Sequence, residues 1–223
     1  MNRALDKVES SLWSFNRSIY QRRQICPSQE FTLISQNCVG GIIYNNLHIP
    51  FTSPTINTLI KGEDFVKFAE DFDDYAALTP TALPEDRSIP NTPSFTLGDI
   101  QVWCPHSKNV ETAQADWSRR ALRIQGERYL ISNTWDLESN EDFIERILRL
   151  PYKKVIFTCD PSYEGDDFLY IDVGRFAGCK DFIQRDTFNI MAHVPFSGKR
   201  VFEECFDWSS WLNGADTSEC NLR

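Results

Sequence analysis

The sequence predicts a single three-layer α/β domain, in which a mostly parallel, mixed sheet is flanked by helices. Apolar, β-branched runs alternate with helical segments of about 10–15 residues, the pattern of a parallel sheet with helices on both faces. The uninterrupted apolar run at 155–157 suits a strand that is covered on both sides. Gly98-Asp99 between two further apolar runs predicts a type II′ hairpin, which would make the sheet mixed.

The domain organisation starts with an amphipathic helix over residues 1–24, followed by a single α/β domain over 25–223. A chain of 223 residues corresponds to one large domain. The apolar residues that recur at helical spacing in the first segment are Leu5, Val8, Leu12, Phe15 and Ile19.

The elements of the first half follow from short local signals. FTLIS (31–35) predicts a strand, which a polar turn at 36–38 connects to a helix. Aromatic residues at helical spacing predict a helix over 65–75, and four prolines make 79–93 a surface loop. Strands at 94–97 and 100–104 form the hairpin.

The second half continues the alternation. We predict a helix over 110–125, a strand over 128–132, and a helix that a Ser139/Asp142 capping box opens and Pro151 ends. Strands follow at 153–159 and 167–173, and a helix lies near 199–212.

Charge and composition exclude several classes of function. The formal charge of −9 disfavours nucleic acids and anionic lipids as partners. No apolar run is long enough to cross a bilayer, and the N-terminus lacks the apolar block of a signal peptide, so we expect a cytoplasmic protein without membrane insertion. The seven cysteines form no CxxC pair, and Walker and GxGxxG motifs are absent, so we predict no cofactor and no metal.

The first candidate site combines Cys38 and His106. Both follow predicted strands, and ligands of open α/β sheets bind beyond the carboxyl ends of the strands. A helix N-terminus stabilises a thiolate, and a nearby histidine would complete a Cys-His acyl-transfer site.

The turn around Cys38 also offers hydrogen-bond donors for an oxyanion. These are the Gln36 side chain and the backbone amides around Val39, Gly40 and Gly41, in a turn that also contains Asn37. Asn133 or Asp136 would orient the imidazole. The alternative is that Cys38 packs in the core, while Asn37 and the two glycines only make the turn.

The second candidate site is a cluster of arginines in the segment DWSRRALRI. Arg119, Arg120 and Arg123 fall within about one helical turn and would bind a phosphate or carboxylate. The alternative is a solvated helix face paired with Asp116 and Glu127. A further segment, EGDDFLYID (164–172), suggests metal-assisted sugar-nucleotide chemistry, but a DxD motif is absent and a turn before a strand explains its aspartates.

Four blocks of the sequence resemble one bacterial family. They are FTLISQNCVGGIIYNNLHIPFTSPT, EDFVKFAEDF, IQVWCPHS with ADWSRRALRI, and LPYKKVIFT. The chain resembles the family called domain of unknown function nineteen-nineteen, often named exopolysaccharide biosynthesis proteins. It departs from the family's pattern at Gln36 and Val39. Members occur beside glycosyltransferases in surface-polysaccharide gene clusters, so the resemblance implies a cytoplasmic role in surface-glycan assembly and no established reaction.

A more distant similarity links the chain to putative papain-like cysteine peptidases. That family has a cysteine before a helix, a strand that ends in histidine, and a helix with paired arginines. The similarity implies that Cys38, His106 and the three arginines form one site, and we do not carry over protein hydrolysis.

Three hypotheses of function therefore stay open. The leading one is a surface-polysaccharide enzyme with Cys38 as nucleophile and His106 as base, acting on an acidic or phosphorylated glycan. The second is a glycosyltransferase whose arginines hold a sugar nucleotide. The third is a non-catalytic partner of a glycosyltransferase in the same pathway.

Overall fold

The structure is a computed structural model that describes residues 3–83, 92–184 and 187–222. Its strands are β1 Phe31–Ser35, β2 Thr81–Ala82, β3 Ser94–Leu97, β4 Ile100–Trp103, β5 Glu127–Asn133, β6 Lys153–Thr158, β7 Phe168–Tyr170, β8 Ile183–Gln184 and β9 Thr187–Phe188. Its α-helices are α1 Arg3–Arg22, α2 Val39–Leu47, α3 Gly62–Glu70, α4 Phe72–Ala77, α5 Val110–Ala121, α6 Glu141–Arg149, α7 Val173–Phe176, α8 Val201–Cys205 and α9 Trp208–Leu212. A short 3-10 helix covers Ser218–Cys220.

The main sheet is mainly parallel and has the strand order β1-β5-β6-β7. Strands β1 and β5 pair in parallel, with Phe31 opposite Glu127 and Ser35 opposite Ile131. All five residues of β1 are buried, as expected for a strand covered on both faces. The predicted α/β class is confirmed.

The predicted hairpin is also present, but it lies in a second, antiparallel sheet of order β2-β3-β4. Gly98 occupies the left-handed region at φ 60°, as the turn between β3 and β4 requires. Strand β2 pairs with β3, and an isolated bridge joins Leu59 to Trp103 of β4. Because both outer edges of the hairpin have these partners, the hairpin belongs to a sheet of its own.

Several predicted helices differ in their boundaries. The aromatic helix is interrupted at Asp71, which separates α3 from α4, and α5 ends at Ala121. The predicted capping box is wrong: Asn140 caps α6 by accepting hydrogen bonds from the backbone N–H groups of Asp142 and Phe143. Ser139 has a φ of 49°, so it belongs to the preceding turn. The C-terminal helix is two short helices, α8 and α9.

The chain divides into two compact units, Gln29–Ile156 and Met1–Ser28 with Phe157–Arg223. The first unit contains β1 with β5, the second sheet, and α2 to α6. Its core includes Trp117, which makes edge-to-face contacts with Phe68 and Phe95. The prediction of one domain over residues 25–223 stays a prediction.

The second unit combines α1 with the C-terminal third of the chain. The α1 helix is confirmed, but it packs through a face other than the predicted apolar stripe. Trp13 stacks on His193 with ring centroids 3.8 Å apart, and Arg17 forms an ion pair with Glu203. Phe15 of the predicted stripe is 65% exposed.

Candidate functional site

Cys38 lies where the sequence places it, between the end of β1 and the first residue of α2. It is the N-cap of α2, and its side chain is half-buried. The Val39 N–H donates to Asn37 Oδ1 at 3.1 Å, and the Gly40 N–H donates to Ser35 Oγ at 3.1 Å. Two of the backbone donors at the start of α2 are therefore occupied by the turn itself.

Gly40 and Gly41 allow the start of α2 to approach its surroundings closely. A Cβ at Gly40 would lie 2.8 Å from Ser35 Cβ, and one at Gly41 would lie 2.9 Å from Asn57 Oδ1. Any larger residue at either position requires the neighbour to move. The glycines thus set the position of Cys38 by steric fit.

The Cys38 thiol is protonated at neutral pH. Burial raises the pKa of Cys38 to about 11, and the negative charge of Asp136 contributes to the rise. We expected the helix N-terminus to stabilise a thiolate, and the structure differs because desolvation and a carboxylate both oppose ionisation. The thiol therefore lies in a desolvated site under the influence of a negative charge.

Asp136 is held by amide side chains from two segments of the chain. Its Oδ2 accepts hydrogen bonds from Asn133 Nδ2 at 2.7 Å and from Asn37 Nδ2 at 3.3 Å. The Asp136 N–H in turn donates to Asn133 Oδ1 at 2.7 Å. Asn133 ends β5 and Asn37 follows β1, so the two parallel strands bring these side chains together.

Gln36 completes this group from the interior. The side chain is fully buried, and its Oε1 accepts hydrogen bonds from Ser132 Oγ at 2.7 Å and from the Asn133 N–H at 3.3 Å. Its Nε2 has no hydrogen-bond partner among the residues that the structure describes. A buried donor without an acceptor is rare in native proteins and calls for an explanation. We call Gln36, Asn37, Cys38, Asn133 and Asp136 the strand-end cluster.

His106 lies on the surface, in the turn after β4. Its side chain is exposed, and the turn is closed by a hydrogen bond from the Ser107 N–H to the Cys104 carbonyl at 3.0 Å. Within the described ranges, no hydrogen bond joins His106 to Cys38. The pairing of the two as nucleophile and base stays a prediction.

The three predicted arginines have different environments. Arg119 and Arg120 each form an ion pair with Asp116, one to each carboxylate oxygen, and Arg123 is exposed. The side chain of Arg119 is 59% exposed, whereas that of Arg120 is 10% exposed. Arg120 also donates from Nη1 to the Ile56 carbonyl at 2.7 Å, and burial lowers its pKa. Pairing with Asp116 is the alternative we described, and anion binding by the cluster stays a prediction.

Cys104 is a neighbour of the site that sequence reasoning did not single out. Burial raises the pKa of Cys104 to about 12, the positive charge of Arg120 opposes the rise, and the charge of Cys38 adds to it. Cys104 therefore lies within electrostatic range of both Cys38 and Arg120. The sequence could have indicated this residue, since Cys104 lies two residues before the candidate His106 in the segment CPHS.

Two other kinds of feature are absent from the described residues. They contain no group of three or more His, Cys, Asp or Glu side chains arranged to hold a metal ion. None of their helices combines the length and the apolar character that a membrane span needs.

Comparison with known proteins identifies the family. The chain matches the family described as "Domain of unknown function (DUF1919)" over residues 10–213. It belongs to this family. A relative from Haemophilus influenzae, described as an uncharacterized protein, is 30% identical over 190 residues, which cover 84% of this chain and 86% of the relative. The match spans every residue of the strand-end cluster, whereas the similarity to papain-like peptidases stays a prediction.

Proposed function

We propose that this DUF1919 protein is a cytoplasmic enzyme of surface-polysaccharide biosynthesis whose substrate binds at the strand-end cluster. In this proposal Cys38 is the nucleophile and His106 the general base of an acyl transfer or hydrolysis on a glycan. The resemblance of the four sequence blocks supports the pathway, and the cluster's place beyond the parallel strands β1 and β5 supports the site.

The proposed reaction has two steps. Cys38 Sγ attacks the carbonyl carbon of an acyl group, and the imidazole of His106 takes the thiol proton. The bond to the leaving oxygen breaks, the imidazolium gives that oxygen its proton, and a thioester remains on Cys38. A glycan hydroxyl or water then attacks the thioester and loses its proton to the imidazole, which restores the thiol.

The observation that carries this proposal is the free amide nitrogen of Gln36, two residues before Cys38. Ser132 and the Asn133 N–H fix the amide through its oxygen, and Nε2 has no acceptor in the described part of the chain. A fixed, desolvated donor of this kind stabilises the oxyanion that forms during attack on a carbonyl. The N–H groups of Val39 and Gly40 have partners already, so Gln36 supplies the oxyanion contact.

The raised pKa of Cys38 determines what the base must do. With a pKa of about 11, the thiol loses its proton only when a base takes it as the attack occurs. The negative charge of Asp136 raises the pKa of the thiol, so this carboxylate opposes the ionisation of Cys38. The exposed imidazole of His106 in the turn after β4 takes this role in the proposal.

A test of the chemistry uses p-nitrophenyl acetate as acyl donor and intact-protein mass spectrometry. With the exposed Cys26 replaced by serine, we expect one acetyl adduct, sensitive to hydroxylamine, on Cys38 of the otherwise wild-type chain. The matched control is Cys159→Ala, since Cys159 is also half-buried and also follows a strand, and this variant retains the adduct. Cys38→Ala loses it. Acetylation spread over several residues, or unchanged in Cys38→Ala, contradicts the acyl-transfer mechanism.

One observation favours the glycosyltransferase as a second candidate function. The Asp136 carboxylate, held by Asn37 and Asn133, is placed to accept a proton from a sugar hydroxyl, while the neighbouring thiol is protonated. In that case Asp136 is the base and Cys38 lines the site. Asp136→Asn then abolishes polysaccharide formation, and Cys38→Ala preserves it.

Partners and compartment follow from the same proposal. The proposed substrate is a glycan or sugar phosphate, and glycosyltransferases of the same pathway supply it. The proposal involves neither nucleic acid nor membrane insertion. Arg123, whose side chain is exposed, is the arginine of the predicted anion site best placed to meet an acidic group. The cysteines of the chain are free thiols, which is typical of a reducing compartment such as the cytoplasm.

A further inference from the structure

The second unit, Met1–Ser28 with Phe157–Arg223, which we call the C-terminal unit, contains a cavity that the proposed reaction does not use. It has a volume of about 670 Å³, within the range of small-molecule sites. Its lining comes from β7 and α7 and from residues near the C-terminus. Part of it is the segment EGDDFLYID, whose aspartates the proposed function leaves without a role.

One polar atom in the lining lacks a partner. Asn221 Oδ1 is buried and has no hydrogen-bond donor within the described residues. Such an acceptor is costly in a native structure unless a ligand or another group supplies the donor. The bridge between Asn221 and Phe206, and the hydrogen bond from the Leu222 N–H to the Cys205 carbonyl at 2.8 Å, hold this segment in place.

The charged groups of the lining point to the class of ligand. They are the carboxylates of Asp166 and Asp172 and the guanidinium of Arg175. Asp172 caps α7, since its Oδ1 accepts a hydrogen bond from the Gly174 N–H at 2.8 Å. Arg175 Nη2 lies 3.9 Å from Glu204 Oε1. Two carboxylates and one cation repel a diphosphate, whereas hydroxyl groups donate to carboxylates and amide oxygens and accept from a guanidinium.

The lining also offers apolar surface suited to the face of a sugar ring. Tyr170 is 47% exposed, so its ring is available to a ligand, and Phe168 and Leu169 lie beside it in the lining. An exposed aromatic ring next to acidic and amide side chains binds both the C–H face and the hydroxyl edge of a pyranose.

We propose that the cavity lined by Tyr170, Asp172, Arg175 and Asn221 is a binding site for an uncharged saccharide. The site is built within the C-terminal unit and does not depend on the chemistry of Cys38. It gives the protein a second place to hold a glycan.

The test is saturation-transfer NMR on the full chain, with maltose, lactose, cellobiose and chitobiose as probes and UDP as the charged competitor. We expect at least one disaccharide to bind and UDP not to displace it. Tyr170→Ala weakens binding about tenfold, whereas the control Phe196→Ala, which removes an exposed ring outside this lining, leaves binding unchanged.

Asn221→Leu separates binding from folding. It removes the unpaired acceptor, so we expect weaker binding together with a melting temperature no lower than that of the wild type. Cys38→Ala binds as the wild type does, which keeps this result distinct from any failure of the acyl-transfer chemistry. Binding by none of the four disaccharides, displacement by UDP, or wild-type affinity in both Tyr170→Ala and Asn221→Leu overturns the proposal.

Discussion

Two strands of the main sheet are each followed by a half-buried cysteine, and the surroundings of these two cysteines differ. After β1, Cys38 lies beside Asp136, whose carboxylate accepts hydrogen bonds from the side chains of Asn37 and Asn133. After β6, short-range hydrogen bonds close the turn that contains Cys159. The Asp160 N–H donates to Thr158 Oγ1 at 3.1 Å.

This difference distinguishes a candidate functional strand end from an ordinary turn. The turn after β6 is closed by contacts within two residues, as in many ordinary turns. The strand-end cluster instead joins segments almost a hundred residues apart and leaves Gln36 Nε2 without a partner. Because several segments build it and one donor is unused, the strand-end cluster is the better candidate for a functional site.

The pH dependence of alkylation should show the largest change at both strand ends. The pKa of Cys38 is raised to about 11 and that of Cys159 to about 12, mainly by burial. Because only the thiolate reacts, the labelling rate of each rises about a hundredfold between about pH 8 and pH 10. Mass spectrometry with iodoacetamide checks this.

Two further features of the same experiment are specific. Cys38 and Cys159 are both expected to show this steep rise, because burial is the largest cause of the raised pKa of each thiol. The exposed Cys26 serves as the internal reference for reagent quality. If the alkylation rate of Cys38 levels off below about pH 9, the pKa of this thiol is not raised as described.

The next effect concerns the steric fit that positions Cys38. Gly40→Ala places a methyl group 2.8 Å from Ser35 Cβ, so we expect the free energy of unfolding to fall by about 1–3 kcal/mol. Gly178→Ala is the matched control, since a Cβ there meets nothing within 4 Å. Urea denaturation followed by circular dichroism measures both. Equal stability of the two variants would show that the close approach of α2 to β1 is unimportant.

The smallest effect isolates the charge of Asp136. Asp136→Asn removes a negative charge that raises the pKa of Cys38, so the pKa falls and alkylation at a fixed pH near 8 speeds up roughly two- to tenfold. Asp160→Asn is expected to leave the alkylation rate of Cys159 unchanged, because burial and the charge of Cys205 account for the raised pKa of Cys159. If Cys38 of the Asp136→Asn variant is alkylated more slowly than in the wild type, or at the same rate, the two strand ends do not differ in the way proposed.

Local chemistry explains what the sequence could predict. β1, the polar turn and the start of α2 follow from residues within a few positions of one another, and the Gly98 turn does as well. The placement of Cys38 at a strand end was predictable for that reason. The cap of α6 was predicted one residue early, because Ser139 and Asn140 are both good caps and the φ of 49° at Ser139 decides between them.

Long-range packing explains what the sequence could not predict. The acidity around Cys38 arises because the β5 end carries Asp136 to the β1 turn, a contact between residues 99 apart along the chain. The buried state of Arg120 depends on the Ile56 carbonyl, 64 residues away. The face of α1 that packs is set by its contacts with His193 and Glu203, which are far away in the sequence. The spacing of apolar residues therefore predicted the helix correctly but predicted the wrong packing face.

The most direct test of the central claim is polysaccharide yield in a strain that lacks its chromosomal copy of the gene. The strain is complemented with Cys38→Ala or Asp136→Asn in the strand-end cluster, and with Cys159→Ala or Asp160→Asn at the β6 end, at equal protein abundance. The account predicts that at least Asp136→Asn or Cys38→Ala abolishes the polysaccharide, while both β6-end variants restore it fully. Wild-type yield from both cluster variants would contradict it.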